Sequence, residues 1–202
     1  MTLTRLRNRQ GITIVELVVV AFLIGAVATV AIPRALKTSP RQELARATRQ
    51  LARDLEQVRT QALAAKRSVR VRFDAAANFY TAYMDVSETR SGTISESTEE
   101  VRESRLIARD SHEGVPGVSL PGRVKFGAGV AARGPLGEGA SDPILLEDDR
   151  VEFNARGMVV PLGTNGVVFL THESDPSVVA AVTISGAGSF QAWHYRDGKW
   201  ER

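Results

Sequence analysis

Hydrophobic and polar positions follow three successive rhythms along the chain. Over 12–32 nearly every position is apolar, without helical or strand periodicity. As a helix these 21 positions rise about 31 Å at ~1.5 Å each, enough to cross a hydrocarbon core of ~30 Å. Pro33 ends the run and predicts a kink or interruption before the polar interval 34–39. A second rhythm follows, in which Leu44, Ala47, Leu51, Leu55, Val58 and Ala62 recur at steps of three and four. It predicts an amphipathic helix with Ser39 as N-cap and Pro40 at the first helical position. The apolar stripe is expected to pack on a sheet. Arg46, Arg49, Arg53, Asp54, Glu56 and Arg59 fill the intervening positions, and the arginines form a solvated face.

From Ser68 onward the pattern alternates. Val69, Val71 and Phe73 fall on one face of a strand, and Arg70 and Arg72 on the other. Residues 79–86 are the expected hairpin partner. The Ser-, Thr- and Glu-rich stretch 87–104 holds five acids against two arginines and predicts an exposed loop. Strands are then expected at 105–108, 115–120, 123–126, 151–154, 158–161, 166–171, 178–185 and 189–195. A glycine-punctuated loop covers 127–143. No internal repeat is visible. The fold class expected is α+β, with a long N-terminal helix packed on antiparallel sheets.

Charge changes the picture only at one end. The chain carries 26 Lys and Arg against 23 Asp and Glu, and Arg5, Arg7 and Arg9 lie in a leading stretch without acids. Residues 12–202 therefore balance at 23 of each sign. A chain-wide phosphate-binding surface has little support, and nucleic acid is not an expected partner. With no cysteine, disulfide scaffolds, thiolate metal sites and cysteine nucleophiles are excluded. At 43% hydrophobic residues the chain is too apolar to be disordered throughout.

The arginines preceding the apolar run hold that end in the cytoplasm by the positive-inside bias and send the body across the membrane. A secretory signal has a shorter apolar core followed by a small-x-small cleavage site, which Ala26 and Ala28 mimic. A simple signal anchor shares the arginines and the run. Neither accounts for Glu16, a carboxylate five residues into the stretch. Inside a membrane helix it costs about 2.5–3.5 kcal/mol and marks a function or a partner.

The run Gly11, Ile12, Thr13, Ile14, Val15, Glu16, Leu17 resembles the prepilin processing motif. That motif has a basic leader ending in glycine, an apolar first mature residue and glutamate at the fifth mature position. Pro33 then falls at mature position 22, where pilin-like helices commonly carry proline. Ile12 departs mildly from a family that most often begins with phenylalanine. The resemblance implies cleavage between Gly11 and Ile12 by a prepilin peptidase, with N-methylation of Ile12. Glycine at the cut has a physical reason, since a residue lacking Cβ lets a protease approach the backbone. The resemblance also gives Glu16 a partner, the cationic N-terminal amine of its own or a neighbouring subunit. Pairing would relieve the cost of burying the carboxylate and fix the register of packed helices.

The order of parts resembles the GspH/FimT branch of pilin-like proteins. It runs from leader to long helix, hairpin and variable loop, then to Val151 through Gly157 and a terminal Gly198, Lys199, Trp200. This implies a basic leader at 1–11, a membrane-spanning and assembly helix at 12–33, an amphipathic stem at 34–66 and a β-rich periplasmic body at 67–202. The expected function is a type II secretion minor pseudopilin, a single-pass inner-membrane subunit. Its partners would be the prepilin peptidase, other pseudopilins or pilins through the N-terminal helix, and the inner-membrane assembly platform. The alternative is a FimT-like minor type IV pilin serving pilus assembly or DNA uptake. A third class, a membrane-anchored periplasmic hydrolase, needs a nucleophile that nothing in the sequence nominates.

No catalytic constellation, cofactor motif or metal site emerges. His112, His172 and His194 lack close ligand spacing. The glycines at 127, 129, 134, 137 and 139 are not followed by the lysine and hydroxyl residue of a phosphate loop. Ser185 lacks the preceding glycine of a nucleophile elbow, and its surroundings predict a hairpin turn. Glu147, Asp148 and Asp149 lack the spaced oxygen ligands of a calcium loop and predict a solvated turn. Trp193, Tyr195 and Trp200 are assigned to core and edge packing.

Overall fold

The computed structural model describes residues 14–35, 39–104 and 107–202. They fall into two units, Met1–Thr38 and Ser39–Arg202. In the first, helix α1 spans Ile14–Ala35. It runs two residues beyond Pro33, so Pro33 itself does not interrupt it; residues 36–38 lie outside those described. A proline weakens the turn before it without ending every helix that contains one.

The second unit opens with helix α2, Pro40–Ala65. Ser39 has extended backbone, and its hydroxyl accepts from the Gln42 N–H at 3.3 Å. Lys66 closes the helix in the left-handed conformation at φ 54°, its N–H returning to the Ala62 carbonyl. Leu44, Ala47, Leu51, Leu55, Val58 and Ala62 are all buried.

Strands β1 (Val69–Asp74) and β2 (Phe79–Met84) form the expected hairpin, with Val71 opposite Ala82. Helix α3 (Thr98–Ser104) follows, then β3 (Asp110–His112), β4 (Val115–Ser119), β5 (Val124–Phe126) and β6 (Ile144–Leu145). A short 3-10 turn at Glu147–Asp149 leads into β7 (Arg150–Phe153) and β8 (Val159–Val160). The chain ends with β9 (Gly166–His172), β10 (Asp175–Ile184), β11 (Phe190–Arg196) and β12 (Lys199–Glu201). One sheet has the order β3-β4-β2-β1-β7-β8. The other runs β12-β11-β10-β9-β5, with β6 also on β9. Every pairing is antiparallel. The α+β class expected from the sequence is the class observed.

The core joins the α2 stripe to Val69, Val71 and Phe73 of β1, Phe153 of β7, Leu170 of β9 and Ala180 and Val182 of β10. On the opposite face of β1, Arg70 reaches Glu152 at 2.9 Å and Glu96 at 3.2 Å. The turn at Ser185 forms as expected: the Gly188 N–H donates to the Ser185 carbonyl at 2.7 Å. Gly188 takes φ 77°, and a Cβ there would come within 2.4 Å of the Gly157 carbonyl oxygen. Only glycine fits both conditions.

Two expectations need correction. The stretch 87–104 is not simply an exposed loop. Ile94 and Val101 are buried against Tyr83 on the outer face of β2, which explains why all six residues of β2 are buried. The stretch also contains α3, started by a reciprocal cap. The Glu100 N–H donates to the Ser97 hydroxyl at 3.3 Å, and the Ser97 N–H donates to the Glu100 carboxylate at 2.7 Å. This capping box, a serine followed three residues later by glutamate, was present in the sequence. The strand expected at 105–108 is absent at Ile107 and Ala108, and pairing begins at Asp110. Residues 105 and 106 lie outside those described.

Candidate functional site

Of the expected processing residues, Gly11 and Ile12 lie outside the described residues. Glu16 is described and occupies the first turn of α1. Around and beyond it the described side chains are apolar on every side of the helix. Ile14, Val15, Leu17, Phe22, Ile24 and Val27 are all exposed, Ile14 at 84%. Such a surface is stable only when something other than water covers it. Gly25 leaves open space where a Cβ would be, and Thr29 returns its hydroxyl to the Gly25 carbonyl at 2.8 Å. Over the described residues alone, no helix is long and apolar enough to cross a membrane. The stretch expected to do so includes Ile12, Thr13 and further side chains outside them.

In the second unit the polar residues of α2 take part in the packing. Asp54 is only 1% exposed, although the sequence pattern places it among the charged intervening positions. Its carboxylate accepts from the Tyr80 hydroxyl at 2.5 Å and from Gln50 at 2.9 Å, and it pairs with Arg109. Burial, then the neighbouring Asp54 charge, pushes the Tyr80 hydroxyl far above its ordinary range, so it stays protonated and donates. The arrangement ties α2 to β2 and to the segment leading into β3. Asp54 lies three residues after Leu51 and four before Val58, on the buried stripe itself, and that spacing was the available signal.

The histidines are not brought together. His112 lies in β3 and His194 in β11, while His172, at the end of β9, is buried. His172 Nε2 lies 3.1 Å from the Glu43 carboxylate, and its Nδ1 lies 2.9 Å from the Ser174 hydroxyl. The order acid, imidazole, hydroxyl is that of a charge-relay triad. However, Nδ1 also accepts the Ser174 backbone N–H at 3.2 Å. The geometry is that of a clamp closing the β9–β10 turn onto α2. Among the described residues no group of three or more His, Asp or Glu side chains is placed to hold a metal. Glu147, Asp148 and Asp149 are exposed in their turn, with Asp148 paired to Arg150 at 3.0 Å. The indole N–H groups of Trp193 and Trp200 donate to Thr183 and to the Arg133 carbonyl.

No protein-family model and no curated protein matches the chain. Among solved structures it is similar to the type IV minor pilin FimU of Pseudomonas aeruginosa, at 16% identity and a TM-score of 0.44, over 80% of this chain and 95% of that one. It is also similar to the minor pseudopilin EpsH from the type 2 secretion system of Vibrio cholerae, at 10% identity and a TM-score of 0.46, over 74% of this chain and 95% of that one.

Proposed function

We propose that the chain is a minor pilin-like structural subunit, and specifically a minor pseudopilin of type II secretion. In this reading a prepilin peptidase cleaves after Gly11, and the new amine of Ile12 is methylated. The apolar helix is held in the inner membrane with the body in the periplasm until assembly. It then packs beside the helices of other pseudopilins. The observation that carries the reading is α1: its described apolar side chains are exposed on all sides, and it bears one carboxylate, Glu16, four residues after Ile12. Helix packing supplies lateral contact, while Glu16 paired with a neighbouring N-terminal amine supplies axial register. The body decorates the outside. No enzymatic role is proposed.

Mass spectrometry of the processed protein tests the first step. The expected N-terminus is methylated Ile12, and an N-terminus at Met1 or after Ala28 overturns it. Glu16→Ala is expected to leave cleavage intact and to reduce recovery in sheared fibres. Normal recovery removes the ion pair from the mechanism. The second reading, a FimT-like minor type IV pilin, draws support from one observation. Folding brings Arg196 and Arg202 of the C-terminus beside Arg41 and Arg49 of α2. Salt-dependent binding of duplex DNA by this surface would favour it.

A further inference from the structure

Folding brings arginines from both ends of the body to one place. A cleft of about 480 Å³ lies between the first turns of α2 and the strands β10 and β11. Its polar wall carries Arg41 and Arg49 from α2 and Arg196 from the end of β11. Its floor is apolar, made by Leu44, Ala45, Val178, Val179 and Ala192. The volume falls within the ~300–1,000 Å³ typical of ligand clefts.

Among the described residues no carboxylate lines the cleft. Glu201 lies 4.0 Å from Arg196 at the rim, and Arg41 acts on the nearby Asp175 charge without closing an ion pair. Arg202 stacks on the Trp193 ring at 4.8 Å, on the face of β11 opposite His194. The imidazole of His194, half-buried in the wall, senses the excess. Burial first, then Arg196 and Arg49, holds its pKa below the ordinary 6.5.

We propose that this cleft docks an acidic peptide segment of a partner protein, its carboxylates gripped by the arginines and an apolar side chain seated on the floor. Guanidinium forks match carboxylates in bidentate geometry, and the apolar floor gives a peptide side chain something to bury. A long polyanion suits the surface less well. The chain from residue 12 onward has no net charge to steer a polymer. The inference concerns the folded body and stands independently of processing at Gly11.

Fluorescence anisotropy on the full chain in detergent micelles tests it. The probe is a labelled pentapeptide, leucine-glutamate-aspartate-aspartate-leucine, with a lysine-substituted version, inorganic phosphate and duplex DNA as competitors. The acidic peptide is expected to bind, to weaken as salt rises, and to resist displacement by phosphate and DNA. Arg49→Gln with Arg196→Gln should weaken it about tenfold or more, and Arg156→Gln, in the turn before β8, should leave it unchanged. Binding should also strengthen as pH falls through the His194 titration below 6.5, and His194→Gln should abolish that dependence. The charged groups bearing on His194 are Arg49 from α2, Arg196 on its own strand and Glu201 opposite it on β12. Failure of the acidic peptide to bind, equal loss in Arg156→Gln, or tighter binding of DNA or phosphate each overturns the proposal.

Discussion

The two long helices present opposite solutions to the same problem. In α1 the described apolar side chains lie on all sides of the helix and are exposed. In α2 the apolar residues occupy one stripe, and two sheets bury that stripe completely. The width of the apolar surface decides where a helix finds its partner. A stripe can be covered by the chain's own sheets, whereas an apolar cylinder requires lipid or other helices. Asp54 of α2 is neutralised inside the fold by Tyr80, Gln50 and Arg109.

Truncation of a leucine on each helix gives the largest expected contrast. Leu51→Ala should destabilise the body by about 2–5 kcal/mol, because Leu51 is wholly buried. Leu17→Ala, at an exposed position, should change it by less than about 0.5 kcal/mol. Urea denaturation of the full chain in detergent measures both, and equal losses would erase the distinction. Next in size, Asp54→Ala should cost about 1.5–3 kcal/mol by leaving the buried Tyr80 hydroxyl without its acceptor. Tyr80→Phe should then cost less in the Asp54→Ala background than alone, and a double-mutant cycle reads that coupling. Ser39→Ala removes the α2 cap and should cost about 1 kcal/mol in the same denaturation assay.

The smallest effect is a pH dependence. Asp85 is buried just after β2, which by itself would raise its pKa. The hydrogen bonds from Ser87 and Gly92, with the nearby Arg67 charge, outweigh burial and hold it below the ordinary 3.8. A carboxylate depressed in the folded state stabilises it above the unfolded pKa and loses that contribution as pH falls through the folded value. Stability should therefore decline below about pH 4, and Asp85→Asn should flatten that limb in acid titrations followed by circular dichroism. An unchanged acid limb would remove Asp85 from the account.

Much of this was legible before any coordinates. Six stripe residues of α2, the Ser39 cap, the β1–β2 hairpin and the Ser185 turn follow from local periodicity and turn chemistry. Those properties act over a few residues and are written contiguously. Helix α3 is equally local: its Ser97–Glu100 cap lies within an acid-rich composition that by itself predicts a loop. The role of 87–104 in covering Tyr83 was not local, since which face of β2 needs a cover depends on the sheet it joins.

The sequence by itself determined the two kinds of helix, the alternation of the strands and the position of Glu16 behind Gly11 and Ile12. Each depends on the spacing of neighbours along the chain. Tertiary structure alone decided that Asp54 meets Tyr80 and Arg109, that Glu43 clamps His172, and that arginines from both ends of the body share one cleft. Asp54 and Tyr80 are 26 positions apart and Glu43 and His172 are 129, while Arg41 and Arg196 stand near the two ends of the body. Local pattern carries no information about which distant charges will face each other once two sheets and a helix have closed around a common core.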